Sequence, residues 1–257
     1  MKNLNSINYG CPENKDAFTK YIKEINAVIK KQAKATGHGK NKKTIFWDID
    51  DVVLESSKTI VDMINKLYRR DHGLKDAEFE DLKDWGYKSI YRELNEKDVV
   101  NLFESDEFIN NVKINPDFKM ILDSGVLGNF NNCFVTYGTN KSLNDKAELL
   151  ERELGDKIKD FLYIGLTCGT DGADGKCHPK ERKEYIDMSN GIQIDDNFNF
   201  MKNTNAGIKV LVTNGIDTDY NYDEMIANAD NGEGNVYKAY DLKEVWSLLD
   251  FFGNYGD

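Results

Sequence analysis

The chain has 257 residues, 40% of them hydrophobic and 31% charged, with a formal net charge of −11. That length allows one large core with a small appended domain; no apolar run approaches the roughly 20 residues of a membrane span. The acidic balance argues against an extended nucleic-acid surface, which would be basic.

The cysteines, Cys11, Cys133, Cys168 and Cys177, show no disulfide framework. With no hydrophobic signal segment at the start, they point to a reducing, cytoplasmic setting. Residues 1–43 read as an N-terminal helical extension and linker. Phe18, Ile22, Ile25 and Ile29 recur at helical spacing opposite Lys20, Lys23, Lys30 and Lys31. Such an amphipathic face is expected to pack on the core or a neighbouring subunit, with membrane or partner docking left open. Gly37 to Lys43 is the polar linker.

Ile45, Phe46 and Trp47 read as a buried strand that runs into three carboxylates, Asp48, Asp50 and Asp51. Carboxylates where such a strand emerges lie at the carboxyl edge of a sheet, the usual ligand crevice of α/β proteins. An acidic turn is the plain alternative. Residues 54–114 then carry helical signals. Ile60, Met63, Ile64 and Leu67 form a stripe ending near Arg70, and further helices are predicted around Ile90 to Leu94 and Val99 to Phe103. Pro116 is placed to open the helix that follows.

Asn132 to Asn140 reads as a strand ending in Thr136, with Gly138 allowing a tight turn. A helix starting near Lys141 would set Thr136 and the next N–H groups toward an anion. A strand over Phe161 to Leu166 leads into the glycine-rich loop Thr167 to Pro179. Cys168, Cys177 and His178 there lack the fourth ligand of a structural zinc site, so a loop beside the active site is the preferred reading. Lys176, and Lys180 and Lys183 on a short predicted helix, precede Gly191-Ile-Gln-Ile-Asp-Asp-Asn197, a second strand that ends in carboxylates, Asp195 and Asp196. The rest reads as a helix over Phe198 to Thr204 and strands over Ile208 to Thr213 and Val236 to Tyr240. A last helix, Leu242 to Phe252, is expected to turn Trp246 and Leu248 inward. Alternating strands and helices with right-handed crossovers give a doubly wound parallel sheet. Two acidic pairs brought together at strand ends would repel and raise one another's pKa. A bound Mg²⁺, which takes oxygen ligands, resolves this economically.

Asp48-x-Asp50 after one strand, Thr136 after another, a lysine on a helix and Asp195-Asp196 after a further strand appear in this order. The set resembles the haloacid dehalogenase-like (HAD) phosphohydrolases over roughly residues 44–240. Asp51 and Val52 depart from it, since many members carry Gly and Thr there; the change falls on the backbone turn. The resemblance implies a three-layer Rossmann-like α/β core with a parallel sheet (44–53 and 115–257). A small all-helical cap (54–114), inserted after the first core strand, would cover the cleft. The Asp-Asp-Val variant and the aromatic-containing insert before Asn115-Pro116 look like the 5′(3′)-deoxyribonucleotidase branch. In that branch cap and loop aromatics sandwich a nucleobase, a role open to Trp85, Tyr87, Tyr91 and Phe108 at roughly 1–3 kcal/mol per stack. Packing in the cap's own core is the alternative for each.

The same resemblance implies that Asp48 is the nucleophile of an aspartyl-phosphate route and Asp50 the general acid and base. Mg²⁺ would be held by Asp48, the backbone carbonyl of Asp50 and Asp195. Thr136 and Lys183, or Lys180 in its place, would hold the phosphate oxygens beside Tyr137 and Gly138, with Asp196 orienting the lysine or a water. The expected partner is a small phosphorylated substrate, a nucleoside monophosphate. A sugar phosphate, a polynucleotide 3′-end, a non-catalytic binding module and homo-oligomer formation stay open, whereas a P-loop kinase is disfavoured because no Walker A segment is present.

Overall fold

The computed structural model describes residues 5–9, 15–35, 42–167, 183–216, 218 and 235–255. Lys176, Lys180 and the loop carrying Cys168, Cys177 and His178 lie outside the described residues, as does most of the linker from Gly37.

Among the described residues, seven strands make one sheet: β1 (Asn5–Tyr9), β2 (Thr44–Trp47), β3 (Asn131–Gly138), β4 (Leu162–Thr167), β5 (Gly191–Asp195), β6 (Ile208–Val212) and β7 (Val236–Ala239). Their order is β1-β4-β3-β2-β5-β6-β7, and every pairing is parallel. Parallel strands of this kind are buried on both faces, and β2, β3 and β5 are apolar runs for that reason. Successive side chains alternate faces. Ile45, Trp47, Phe134, Ile192, Ile194 and Val210 join the core on one face. Phe46, Cys133, Val135, Leu162 and Ile164 join that on the other.

Helices cover both faces, which makes three layers. On the first face lie α5 (Pro116–Ser124), α6 (Asn140–Leu154) and α8 (Leu242–Tyr255), through Phe118, Ile121, Leu149, Leu150, Val245 and Leu249. On the second lie α1 (Lys15–Ala35), through Ile25 and Ile29, and α7 (Phe198–Met201), through Phe198 and Met201. Asn115 caps α5 by accepting from the Asp117 N–H at 3.0 Å, and Pro116 opens the helix as expected. Between β2 and α5 the chain is helical, with α2 (Ser56–Ile64), α3 (Glu96–Phe103) and α4 (Asp106–Asn111). An antiparallel bridge between Leu54 and Ile114 ties the two ends of this segment together.

Several expectations change. Residues 1–43 contribute more than a helix: β1 pairs with β4 at the sheet edge, and α1 packs on the core, with Lys20, Lys23, Lys30 and Lys31 exposed. Ile90 to Leu94 is a run of turns, not a helix. Tyr87 sits at φ 55°, and Asn95 starts α3 at once by accepting from the N–H groups of Lys97 and Asp98. Leu67 leaves the α2 stripe and is exposed, because α2 passes into a π-helical turn, Asn65–Arg69, which shifts the phase. Trp246 faces out; Val245, Leu249 and Phe252 take the inner face of α8 at spacings of four and three. The helix after β5 ends at Met201, and Lys183 lies on a 3₁₀ turn, Lys183–Tyr185.

Candidate active site

Sheet order alone locates the crevice. From β2 the chain moves to β3 and β4 on one side, then returns to β5 on the other and continues outward. Strands β2 and β5 are therefore neighbours whose connections leave in opposite directions, the switch point where α/β sheets bind ligands. Trp47 is in register with Ile194, and the Asp48 N–H donates to the Ile194 carbonyl at 2.8 Å. Asp48 and Asp195 thus leave adjacent strands at the same level and on the same side.

Lys183 lies between them. Its Nζ donates to Asp48 Oδ1 at 2.6 Å and to Asp195 Oδ2 at 2.7 Å. The residue is 2% exposed, and Phe200 lies under it, ring centroid 5.2 Å from Nζ. Burial alone would depress the ammonium, yet Asp195 and Asp48 hold it above the ordinary lysine range. Asp195 is fully engaged, accepting also from Gln193 Nε2 at 3.2 Å and the Asn197 N–H at 3.1 Å. Asp48 keeps a sliver of exposure. Burial pushes its carboxyl up to about 7, with Lys183 pulling it down and Asp195 and Asp50 pushing it up.

The loop after Asp48 turns sharply. Asp51 takes φ 56°, a left-handed conformation that a short polar side chain tolerates. Its carboxylate receives the Ser57 N–H at 2.7 Å and the Ser57 hydroxyl at the start of α2, and its carbonyl receives Asn214 Nδ2 at 2.6 Å. Burial raises the Asp51 carboxyl to about 6. Asp50 stands apart from the Asp48–Asp195 pair: Ser56 Oγ donates to its Oδ1 at 2.7 Å, and Lys146 Nζ donates to its Oδ2.

Thr136, near the end of β3, is fully buried, and its hydroxyl has no hydrogen-bond partner among the described residues. Buried hydroxyls rarely stay so, which makes this one a candidate contact for a ligand. Tyr137 and Gly138 follow it, Tyr137 half-buried against the α1 face of the core. Thr139 caps α6 by accepting from the Ser142 N–H at 3.3 Å.

The acidic groups fit a hard cation. Asp48, Asp195 and Asp196 each offer an oxygen within 4.8 Å of the others. Burial and then the charges of Asp51, Asp48 and Asp195 push the Asp196 carboxyl well up. Such a set is an oxygen-only donor cluster whose repulsion a divalent ion would relieve.

Of the four aromatics, two are taken out of reach. Tyr87 is buried with its hydroxyl 2.7 Å from Ser57 Oγ, and Phe108 is buried against Phe103 at 5.2 Å; both are packing residues, not stacking faces. Tyr91 already stacks on Tyr68 at 5.5 Å. Trp85 is the one that presents a free surface, at 49% exposed. Sequence reading missed Lys146, Ser56 and Ser57. The signal for Lys146 is its phase: Leu143, Lys146, Leu150 and Leu154 all lie on the buried face of α6.

No protein-family model and no curated protein matches the chain. Solved structures do. A predicted phosphatase from Clostridium acetobutylicum aligns over 81% of this chain and 98% of its own at 16% identity, TM-score 0.52. A haloacid dehalogenase-like hydrolase from Streptococcus pneumoniae aligns over 80% and 97% at 15% identity, TM-score 0.50. Protein tyrosine kinase A of Mycobacterium tuberculosis aligns over 82% and 99% at 14% identity, TM-score 0.53. The chain has the haloacid dehalogenase-like fold. That fold carries differently named activities among these neighbours, so the reaction must be argued from the site.

Proposed function

We propose that this chain is a cytoplasmic, Mg²⁺-dependent phosphomonoesterase of the HAD type that acts on (deoxy)nucleoside monophosphates through an aspartyl-phosphate. The observation that carries the reading is Asp48 at the switch point, sharing Lys183 with Asp195. A slightly exposed carboxylate, backed by a buried cation and flanked by two further acids, is poorly explained by stability. Replacing a buried ion pair with apolar residues is often neutral or stabilising.

Asp48 attacks phosphorus in line, and the phosphorus–ester oxygen bond breaks. The departing oxygen keeps the electron pair and takes a proton from Asp50. Water then attacks the aspartyl-phosphate, Asp50 takes its proton, and phosphate leaves with the Asp48 carboxylate restored. Mg²⁺ held by Asp48, Asp195, Asp196 and the Asp50 carbonyl would supply the positive charge that lets an anionic nucleophile meet an anionic ester. The Thr136 hydroxyl, without a partner among the described residues, and Lys183 hold the non-bridging oxygens. Lys183 is preferred to Lys180 because it is buried on the nucleophile. Residues 54–114 form the cap, and Trp85 supplies a stacking surface for a base.

Purified protein with Mg²⁺ is to be assayed on nucleoside 5′- and 3′-monophosphates, sugar phosphates and para-nitrophenyl phosphate. Preference for nucleotides supports the full proposal, and preference for sugar phosphates keeps the chemistry and removes the base site. No phosphate release from any ester overturns the reading.

A further inference from the structure

Lys146 is a buried charge with no task in the chemistry above. It lies on the inner face of α6, where its neighbours in phase, Leu143, Leu150 and Leu154, are buried leucines. An ammonium at such a position is costly unless it is paired and hydrogen-bonded. At 2% exposure it donates to Asp50 Oδ2, across 96 residues of sequence. The second oxygen, Oδ1, accepts from Ser56 Oγ at 2.7 Å at the start of α2. Two elements, α6 of the core and α2 of the helical segment, therefore grip a single carboxylate.

We infer that Lys146, with Ser56 opposite, is the positioning residue for the proton-transfer carboxylate of this site. The inference rests on the phosphatase reading of Asp50 given above. Proton delivery requires the carboxyl within hydrogen-bond reach of the ester oxygen, and hydrogen bonds to both its oxygens, from Ser56 and from Lys146, fix its orientation. Asp50 is about one-quarter exposed, whereas Lys146 is nearly fully covered; the anchor is buried and the group it holds is partly open. Because Ser56 opens α2, the same grip couples Asp50's orientation to the seating of the helical segment.

The test compares two esters in the full-length protein with Mg²⁺. A nucleoside 5′-monophosphate has a poor leaving group that needs the proton, and para-nitrophenyl phosphate has a good one that does not. Lys146→Met is expected to lower kcat on the nucleotide by about 100-fold and on the aryl ester by less than about 5-fold. Lys146→Arg should restore part of the nucleotide activity, and Ser56→Ala should show the same selectivity at roughly 10-fold. Ser56→Ala carries the comparison if Lys146→Met does not fold. Equal losses on both esters, or none, overturn the assignment of Lys146 while leaving the phosphatase reading intact. Absence of turnover by the wild type on both esters overturns that reading and this inference with it.

Discussion

Replacing Lys183 with methionine keeps the length of the side chain and removes the ammonium. Its Nζ is 2.6 Å from Asp48 and 2.7 Å from Asp195, with 3% of the side chain exposed. The variant leaves two buried carboxylates facing each other with no counter-charge. Breaking a buried pair from one side costs about 3–5 kcal/mol. Against an unfolding slope near 3 kcal/mol per molar urea, that moves the midpoint by about 1–2 M. The measurement belongs at pH 8, where wild-type Asp48, at about 7, is mostly ionised; removing Lys183 takes away the charge that pulls this carboxyl down, so proton uptake by the variant trims the loss toward the lower end of that range. Lys58→Met is the control: Lys58 sits 2.6 Å from Glu55 but is 52% exposed, and such pairs are worth less than about 1 kcal/mol. Added Mg²⁺ should narrow the gap between Lys183→Met and wild type, since a cation on the acidic cluster replaces the missing charge. A midpoint shift no larger than that of Lys58→Met would refute the buried-charge account of the site.

Three further outcomes are expected. Asp50→Asn should slow poor-leaving-group esters at least about 10-fold more than para-nitrophenyl phosphate; it should also lower stability, because it strands the buried Lys146 ammonium. Without divalent cations, stability should fall as pH rises from about 4 to about 7. Burial holds Asp48 protonated in the folded chain to about 7, whereas the unfolded carboxyl loses its proton near 3.8. The folded state therefore binds more protons across that window, an effect of at most about 4 kcal/mol; urea midpoints that stay flat or rise between pH 5 and 7.5 in chelator would contradict it. Trp85→Ala should raise KM for a nucleoside monophosphate about 10-fold and leave para-nitrophenyl phosphate unchanged, and an equal effect on both would remove Trp85 from the base site.

How much of this was legible in sequence depended on how unusual each residue is where it stands. Asp48 and Asp195 end apolar runs, so they break a pattern and can be found; their register then follows from parallel pairing. Thr136 and Lys183 were found through their order along the chain, and burial, which sequence does not show, is what distinguishes Lys183. Lys146 stands among Asn144, Asp145 and Glu148 and reads as one more surface charge of a polar helix. Only its phase against Leu143, Leu150 and Leu154 betrays it. β1 was missed because Asn5-Ser-Ile-Asn-Tyr9 has little apolar periodicity; as an edge strand it pairs on one side only, with β4. For Tyr87 and Phe108 the choice between base stacking and cap packing stayed open, because an aromatic looks the same in sequence whether its ring faces a cleft or its own helical neighbours.

A chemical trap at Asp48 tests the central claim most directly. Wild-type protein with Mg²⁺ and a turned-over phosphoester is quenched during steady state, treated with borohydride and digested, and the peptide spanning residues 44–58 is weighed. An aspartyl-phosphate is reduced to homoserine, so the account predicts that change at position 48, absent from Asp48→Asn and from enzyme without substrate. Phosphate release with an unchanged Asp48 in the trapped enzyme would contradict it.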